Sequence, residues 1–288
     1  QADIAFCRDI TMKRILFINR ATESYSSEFL TGLTSKCQNK HWLFYRQKGD
    51  NETSSMPFTL ESSIDDRRFD AILTLGELNE SDKDQNNRIE CAKRYSTSSS
   101  ISIVSVDYDY PAIARICLSY LLGRQLKSIG FCKVEGSTGS TILADSFSRL
   151  SDSTGYKLQI FACKGVNLIK QDRKLISGLK KWLLRLPKPS GVVASNDVYG
   201  ELLLLASQEA KLAVPQEIAV LGIGNDPVVC RLNKPQLSSV NLNFKMAGYK
   251  SGQFLIDSFS TKENRSKTIL VGPLEVVSRK STDTFAVS

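Results

Sequence analysis

Short apolar runs alternate with stretches of helical spacing along most of the chain. The runs are rich in β-branched and aromatic residues, which favour strands, and they cover 14–19, 42–46, 71–75, 101–106, 128–132, 158–163, 191–195 and 218–223. Between them, apolar residues recur every three or four positions, as in Ile113, Ile116, Cys117, Tyr120 and Leu121. The pattern therefore predicts repeated strand–helix units.

Most of the predicted strands are apolar on both faces, which is typical of a parallel sheet that helices cover on both sides. Strand–helix alternation joins such strands through right-handed crossovers into a doubly wound sheet. The chain of 288 residues contains more strand–helix units than one sheet usually holds. The sequence therefore predicts an α/β fold with two Rossmann-like lobes. Folds of this kind hold small ligands at the carboxyl ends of their strands, here in a cleft between the lobes.

The composition is that of an ordinary globular protein, with 41 % hydrophobic and 24 % charged residues. No apolar run approaches the ~20 residues that a transmembrane helix needs. The seven cysteines are scattered without a CxxC pair, which predicts reduced, buried thiols and a cytoplasmic protein rather than a disulfide framework or zinc cluster. The net charge of +8 is compatible with nucleic acid, but it is too dispersed to locate a DNA contact in this chain.

The sequence offers little catalytic chemistry. His41 is its one histidine and lies at the start of a predicted strand, where a structural role is expected. The motifs GxSxG, GxxxxGK[ST] and a GxGxxG after a strand are absent. Residues 134–141 are glycine-containing and are interpreted as a flexible loop, with a backbone anion nest as the alternative. We therefore predict a chain that is not an enzyme and uses no cofactor or metal.

Three stretches carry a family resemblance: PSGVVASNDVYGELLLLASQEAKLAVPQEIAVLGIGND, QLSSVNLNFKMAGYKSGQFLIDSF and VGPLEVVSRKSTD. They combine a strand ending in Asn-Asp, a helix, VPxxIAVLGI, LSSV, a second helix and a basic strand ending in Ser-Thr. From about Lys13 to Ser281 the chain resembles the ligand-binding domain of the lactose/galactose repressor family. Within that family it is most similar to the sugar-sensing half of AraC-type xylose regulators.

The resemblance implies a periplasmic-binding-protein-like fold of type I, with discontinuous lobes and a hinge between them. The N-terminal lobe would contain residues 12–124 and 243–273, and the C-terminal lobe residues 125–242 and 274–288. A DNA-reading helix-turn-helix domain would follow residue 288. A ligand in the cleft would favour a closed state and shift the attached domains, and the sensor would form a homodimer through its first lobe.

Six residues are predicted to bind the ligand: Asp109, Asn196, Asp197, Asn225, Tyr25 and Tyr199. Asp107 and Asp109 are two apart and share a face if both lie on a strand, and the resemblance matches Asp109 to a sugar-binding acid. Carboxylates suit sugars because they accept two hydroxyl hydrogen bonds. Helix capping is the competing role for Asn196 and Asp197. The two tyrosines would supply an apolar stacking surface.

Two binding residues of the family are missing. The family's arginine falls on Leu143, four positions before the aromatic Phe147, and its aspartate in a GxD motif falls on Gly224. These changes remove a guanidinium fork and a carboxylate from the polyol site. Two hypotheses follow, a sugar or sugar-like sensor with a rebuilt pocket and a scaffold that has lost its effector and serves in dimerisation or interaction. An enzyme remains a third hypothesis without a supporting motif.

Overall fold

The computed structural model describes residues 12–48 except 20 and 22, residues 69–76, residues 101–164 except 157, and residues 173–261 and 265–283. The chain divides into two compact units. The first comprises Gln1–Asp107 and Phe244–Val271, and the second comprises Tyr108–Asn243 and Gly272–Ser288. Each unit is thus assembled from two separate chain segments.

The first unit contains a five-stranded sheet in the order β10-β4-β3-β1-β2. The pairs β1–β2, β1–β3 and β3–β4 are parallel. Its strands are β1 (Lys13–Asn19), β2 (Trp42–Lys48), β3 (Ala71–Leu75), β4 (Ser102–Tyr108) and β10 (Ser266–Val271). Among its described residues are two helices, α1 (Glu23–Cys37) and α7 (Phe244–Thr261).

Helices α1 and α7 pack against each other with their backbones in close approach. A Cβ on Gly32 would lie 1.8 Å from the carbonyl oxygen of Lys245, and a Cβ on Gly248 would lie 1.9 Å from that of Phe29. Side chains larger than hydrogen are therefore excluded from both positions. The contact fixes α7, which comes late in the chain, onto the first helix of the unit.

The second unit contains a six-stranded sheet in the order β11-β9-β8-β7-β5-β6, parallel except for β11, which pairs antiparallel with β9. Its strands are β5 (Ser128–Val134), β6 (Leu158–Cys163), β7 (Ser190–Ala194), β8 (Ile218–Gly224), β9 (Ser238–Leu242) and β11 (Pro273–Val277). Its helices are α2 (Tyr110–Leu122), α3 (Thr138–Thr154), α4 (Arg173–Arg185), α5 (Asp197–Glu209) and α6 (Pro227–Leu232).

The predicted α/β class with two sets of mostly parallel strands is confirmed. Helix α2 lies within the range 12–124 predicted for the N-terminal lobe. In the structure it packs against α3 and β11 and belongs to the second unit. Residues 134–141, interpreted as a loop or anion nest, instead contain the end of β5 and the first turn of α3. Ser137 caps this helix by accepting a hydrogen bond from the backbone N–H of Ser140. Within the described residues, no helix is long and apolar enough to cross a membrane.

Candidate functional site

Polar residues collect where the parallel strands β7 and β8 end. Asn196 and Asp197 follow β7, and Asn225 follows β8. The two strands are parallel neighbours, so their carboxyl ends lie side by side. The structure thus brings together three of the six predicted site residues.

Asp197 lies at the centre of this group and is 2 % exposed. Its Oδ2 accepts a hydrogen bond from the backbone N–H of Asp226 at 2.6 Å, and its Oδ1 accepts one from the hydroxyl of Ser239 at 2.5 Å. The carboxylate therefore connects the start of α5 with the loop after β8 and with strand β9. We call Asp197, Asn225, Asp226 and Ser239 the strand-end network.

Burial raises the pKa of the Asp197 carboxyl above its ordinary value, because the charged form loses water. The hydrogen bonds from Ser239 and from the Asp226 backbone act in the opposite direction and lower this pKa. Gly222 leaves the space that the carboxylate fills, since a Cβ at that position would lie 2.2 Å from Oδ1. The network thus depends on a glycine in β8 that itself contributes no polar side-chain atom.

Asn225 is held in a backbone conformation that few residues adopt. Its φ is 58°, in the left-handed region that asparagine tolerates, and it follows Gly224 with φ 124°. Its N–H donates to the Ser239 hydroxyl at 3.0 Å, and its Oδ1 accepts from Nη2 of Arg279 at 2.7 Å. The φ of Gly224 gives a physical reason for the missing aspartate, since a side chain at this φ would strain the backbone.

Asn196 and Tyr199 have structural roles in α5. Asn196 is the N-cap, with its Oδ1 accepting from the Tyr199 backbone N–H at 3.1 Å, so the competing capping role is observed for it. Asp197 is the first residue of the helix and does not cap it. Tyr199 is 6 % exposed and belongs to the apolar core of the second unit. The stacking surface predicted for Tyr199 is therefore covered by protein.

Asp109 caps α2 rather than extending β4. Strand β4 ends at Tyr108, and Oδ1 of Asp109 accepts a hydrogen bond from the backbone N–H of Ala112 at 3.1 Å. The expectation that Asp107 and Asp109 share a strand face is therefore wrong, because Asp109 has left the strand. Its second carboxylate oxygen is not used by the cap.

Tyr25 belongs to the first unit, where it lies on α1. Its ring stacks on Phe244, with ring centroids 4.8 Å apart and planes inclined by 12°. Phe244 is buried and is the first residue of α7. Tyr25 thus uses one ring face to join the two helices of its own unit.

The position of the missing arginine lies in the core. Leu143 is 3 % exposed on α3, and one turn later Phe147 is fully buried with its ring 5.0 Å from that of Phe131. A guanidinium at position 143 would need polar partners inside this environment. The leucine is therefore consistent with the packing that surrounds it.

Sequence reasoning missed several polar residues of the second unit. They include Ser239 of the strand-end network and Arg279, which donates to Asn225 of that network. Their weak signals were the serine pair at the start of β9 and the basic residue after β11. A second set lies beside β5, where Ser195 donates to the Cys132 carbonyl at 2.5 Å and contacts the Ser140 hydroxyl at 2.9 Å. Its signal was a small hydroxyl residue directly before Asn-Asp.

The cysteines of the described residues are free and buried, namely Cys37, Cys117, Cys132, Cys163 and Cys230. Burial raises the pKa of Cys37 to about 11 and that of Cys230 to about 12. These two thiols therefore stay protonated near neutral pH. No group of three or more metal-ligating side chains occurs in the part of the chain that the structure describes.

Two units, each built on a mostly parallel sheet, with polar residues at the strand ends of the second, are typical of the class of two-lobed α/β binding proteins. Residues 118–282, more than half of the chain, match the model of the periplasmic binding protein-like domain family. The chain belongs to this family. The matched region includes most of the second unit and all of the strand-end network.

The chain is also similar in sequence to curated proteins that are regulators. The chain is 30 % identical over 181 residues to the xylose operon regulatory protein of Haemophilus influenzae, covering 61 % of this chain and 46 % of that protein. It is 31 % identical over 105 residues to the xylose operon regulatory protein of Escherichia coli K12, covering 36 % of this chain and 27 % of that protein. The chain thus spans less than half the length of these relatives. The predicted resemblance to xylose regulators is confirmed.

Solved structures support the same fold. A xylose-binding transcription activator superposes with a TM-score of 0.74 at 20 % identity, covering 97 % of this chain and 72 % of the other. A LacI family transcriptional regulator from Arthrobacter, solved in complex with lactose, superposes with a TM-score of 0.68 at 17 % identity, covering 94 % and 100 %. These relatives and structural neighbours are transcriptional regulators, not enzymes.

Proposed function

We propose that this chain is the effector-sensing domain of a transcription regulator and that its effector is a sugar or a sugar-like molecule. The observation that carries the proposal is the 30 % identity over 181 residues to a xylose operon regulatory protein. The amide side chains of Asn196 and Asn225 at the ends of β7 and β8 support it, because amide groups pair with sugar hydroxyls. The effector acts by favouring a closed arrangement about a hinge.

The partners follow from the same proposal. DNA is bound through an attached helix-turn-helix domain of the AraC type, which is expected after residue 288, and the protein works in the cytoplasm without a membrane. The sensor forms a homodimer through its first lobe, where Met246 and Tyr249 on α7 are 46 % and 42 % exposed. Light scattering at tens of micromolar tests the dimer, and a mass near 32.0 kDa would contradict it.

The altered pocket decides which sugars are worth testing. Leu143 replaces a guanidinium and Gly224 replaces a carboxylate, so fewer charged groups are available than the resemblance implies. The effector therefore depends more on neutral hydrogen-bonding groups such as Asn196 and Asn225. A suitable panel contains pentoses, hexoses, deoxy sugars, uronic acids and sugar phosphates.

A thermal-shift screen of this panel at millimolar concentration tests the sensor proposal. A ligand at ~100 times its Kd adds about 2.7 kcal/mol to the free energy of unfolding, which raises Tm by several degrees. Asp109→Asn keeps an oxygen that can cap α2 but removes the charge, so we expect the ligand-induced shift to shrink while the ligand-free Tm changes little. Asp152→Asn, at an exposed position on α3, is the matched control and should keep the full shift.

The second candidate function is a scaffold that has lost its effector. The buried Leu143 and the positive φ of Gly224 favour it, because both replace polar binding groups of the family. A cooperatively unfolding sample that shows no shift with any sugar of the panel would favour this function over the sensor. Oligomerisation or partner binding would then be the activity to measure.

A further inference from the structure

Residues 278–283, which we call the C-terminal segment, are bound into the second unit. The Ser281 hydroxyl donates to the Val220 carbonyl at 2.7 Å, and the Ser281 carbonyl accepts from the Val220 N–H at 2.9 Å. The Ser281 hydroxyl also accepts from the Ser238 N–H at 2.7 Å. Ser281 is fully buried, so it anchors the segment in the core at strands β8 and β9.

The next residue extends this attachment to α2. The Thr282 hydroxyl contacts the hydroxyls of Tyr120 and Ser238, each at 2.7 Å. The carbonyl of Thr282 accepts from Nε of Arg124 at 3.1 Å, and that guanidinium lies 3.5 Å from the centroid of the Tyr120 ring. The C-terminal segment is thus held on three elements of the unit.

Arg279 connects this segment to the strand-end network. Its Nη2 donates to Oδ1 of Asn225 at 2.7 Å, and its Nη1 donates to the Leu237 carbonyl at 2.8 Å. Its backbone N–H donates to the Ser238 hydroxyl at 2.7 Å, and its carbonyl accepts from the same hydroxyl at 2.8 Å. One end of the residue is therefore fixed in the C-terminal segment and the other end at Asn225.

The geometry of the guanidinium makes this connection directional. Its planar fork holds two acceptors in fixed positions, so a displacement of the Asn225 side chain either breaks one bond or moves the arginine. Asn225 also shares Ser239 with Asp197, because the Ser239 hydroxyl accepts from Asn225 and donates to Asp197. A change at either strand end is thus transmitted to Arg279 through bonds that already exist.

We propose that Arg279 is the residue that couples the loop at 224–226 to the C-terminal segment, so that occupation of the candidate effector site changes the order of residues 281–283. The effector part of this inference rests on the proposed function. The coupling itself is a property of the folded chain and can be measured without any ligand.

Hydrogen exchange of the chain reports the coupling directly. The backbone N–H groups of Thr282 and Asp283 donate to the Arg279 carbonyl at 3.2 and 3.1 Å, so their exchange rates follow the order of the segment. Asn225→Gly removes the acceptor but tolerates the left-handed φ. We expect both N–H groups to exchange roughly tenfold faster, as expected for a lost hydrogen bond to a charged group.

Two variants separate coupling from general destabilisation. Asn225→Asp keeps an acceptor oxygen for Arg279 and should retain the slow exchange of Thr282 and Asp283. Asn233→Gly makes the same amide-to-glycine change at the end of α6, where the side chain donates to the Val229 carbonyl at 2.7 Å, and should leave both rates unchanged. Unchanged rates in Asn225→Gly, or equally fast rates in Asn233→Gly, would overturn the proposal.

A double-variant cycle and a ligand arm complete the test. In Arg279→Met, or in Arg279→Ala if the first variant does not fold, adding Asn225→Gly should accelerate exchange no further. A sugar that raises the Tm of the wild type should also raise that of the Arg279 variant but no longer alter exchange at Thr282 and Asp283. If no sugar shifts the wild type, the proposed function fails while the ligand-free cycle still decides the coupling.

Discussion

The contact between α1 and α7 in the first unit and the strand-end network in the second unit are stabilised in different ways. The helices meet backbone to backbone at Gly32 and Gly248, with no space for a side chain. The network consists of side-chain hydrogen bonds around Asp197, in which the Ser239 hydroxyl donates to Asp197 and accepts from Asn225. The first arrangement leaves no space for an added atom, whereas the second can be altered by replacing a single polar side chain. A site that responds to a ligand is better served by the second.

The largest effect is expected from Gly248→Ala. The added Cβ would lie 1.9 Å from the Phe29 carbonyl oxygen and 2.8 Å from the Leu33 nitrogen, so the helices must separate. We expect a loss of about 3 kcal/mol in the free energy of unfolding, measured by chemical denaturation. Gly272→Ala is the control, since nothing lies within 4 Å of its added Cβ. Equal stability of both variants would show that the helix contact is not rigid.

A smaller effect is expected from Ser239→Ala in the strand-end network. The change removes the donor to Asp197 and the acceptor of the Asn225 N–H at a fully buried position. We expect a loss of about 2 kcal/mol in the free energy of unfolding, because two buried polar groups lose a partner. Ser260→Ala, on the exposed side of α7, should change stability by no more than about 0.5 kcal/mol. A loss in Ser239→Ala as large as that of Gly248→Ala would remove the distinction between the two regions.

The smallest effect is a pH dependence that comes from Asp197. Burial raises its pKa in the folded state, so ionisation favours the unfolded chain. The contribution of Asp197 to the free energy of unfolding is fully present below the ordinary pKa of 3.8. It is lost as the pH rises through the pKa of Asp197 in the folded state. Tm of the wild type minus Tm of Asp197→Asn should therefore decrease as the pH is raised above 3.8. A difference that stays constant or increases with pH would contradict this assignment.

The sequence predicted those elements whose pattern is local. The predicted strands 71–75 and 158–163 coincide with β3 and β6, since their apolar runs need no information from elsewhere in the chain. Strand β9 was not among the predicted strands, because SSVNL is short and polar and its conformation depends on pairing with β8 and β11. The start of α3 was missed although Ser137 carries an ordinary capping signal.

The residues of the candidate site also differ in whether a local sequence pattern could predict them. Asn196 and Asp197 could be found from their position after a strand, but Arg279 meets Asn225 across 54 residues of sequence. No local pattern marks such a pair. The burial of Tyr199 was accessible in principle, because it lies four residues before the buried Leu203 on α5 and so on the same helix face.

The division of both units into two chain segments has a consequence for protein synthesis. In the first sheet β10 begins at Ser266, whereas its neighbour β4 ends at Tyr108. In the second, β11 and the buried Ser281 are supplied only after α7 has been made. The ribosome delivers about 5–20 residues per second. Both sheets therefore remain incomplete, with unpaired edge strands, for seconds during synthesis. Neither sheet can be completed long before the other, and the two units mature nearly together.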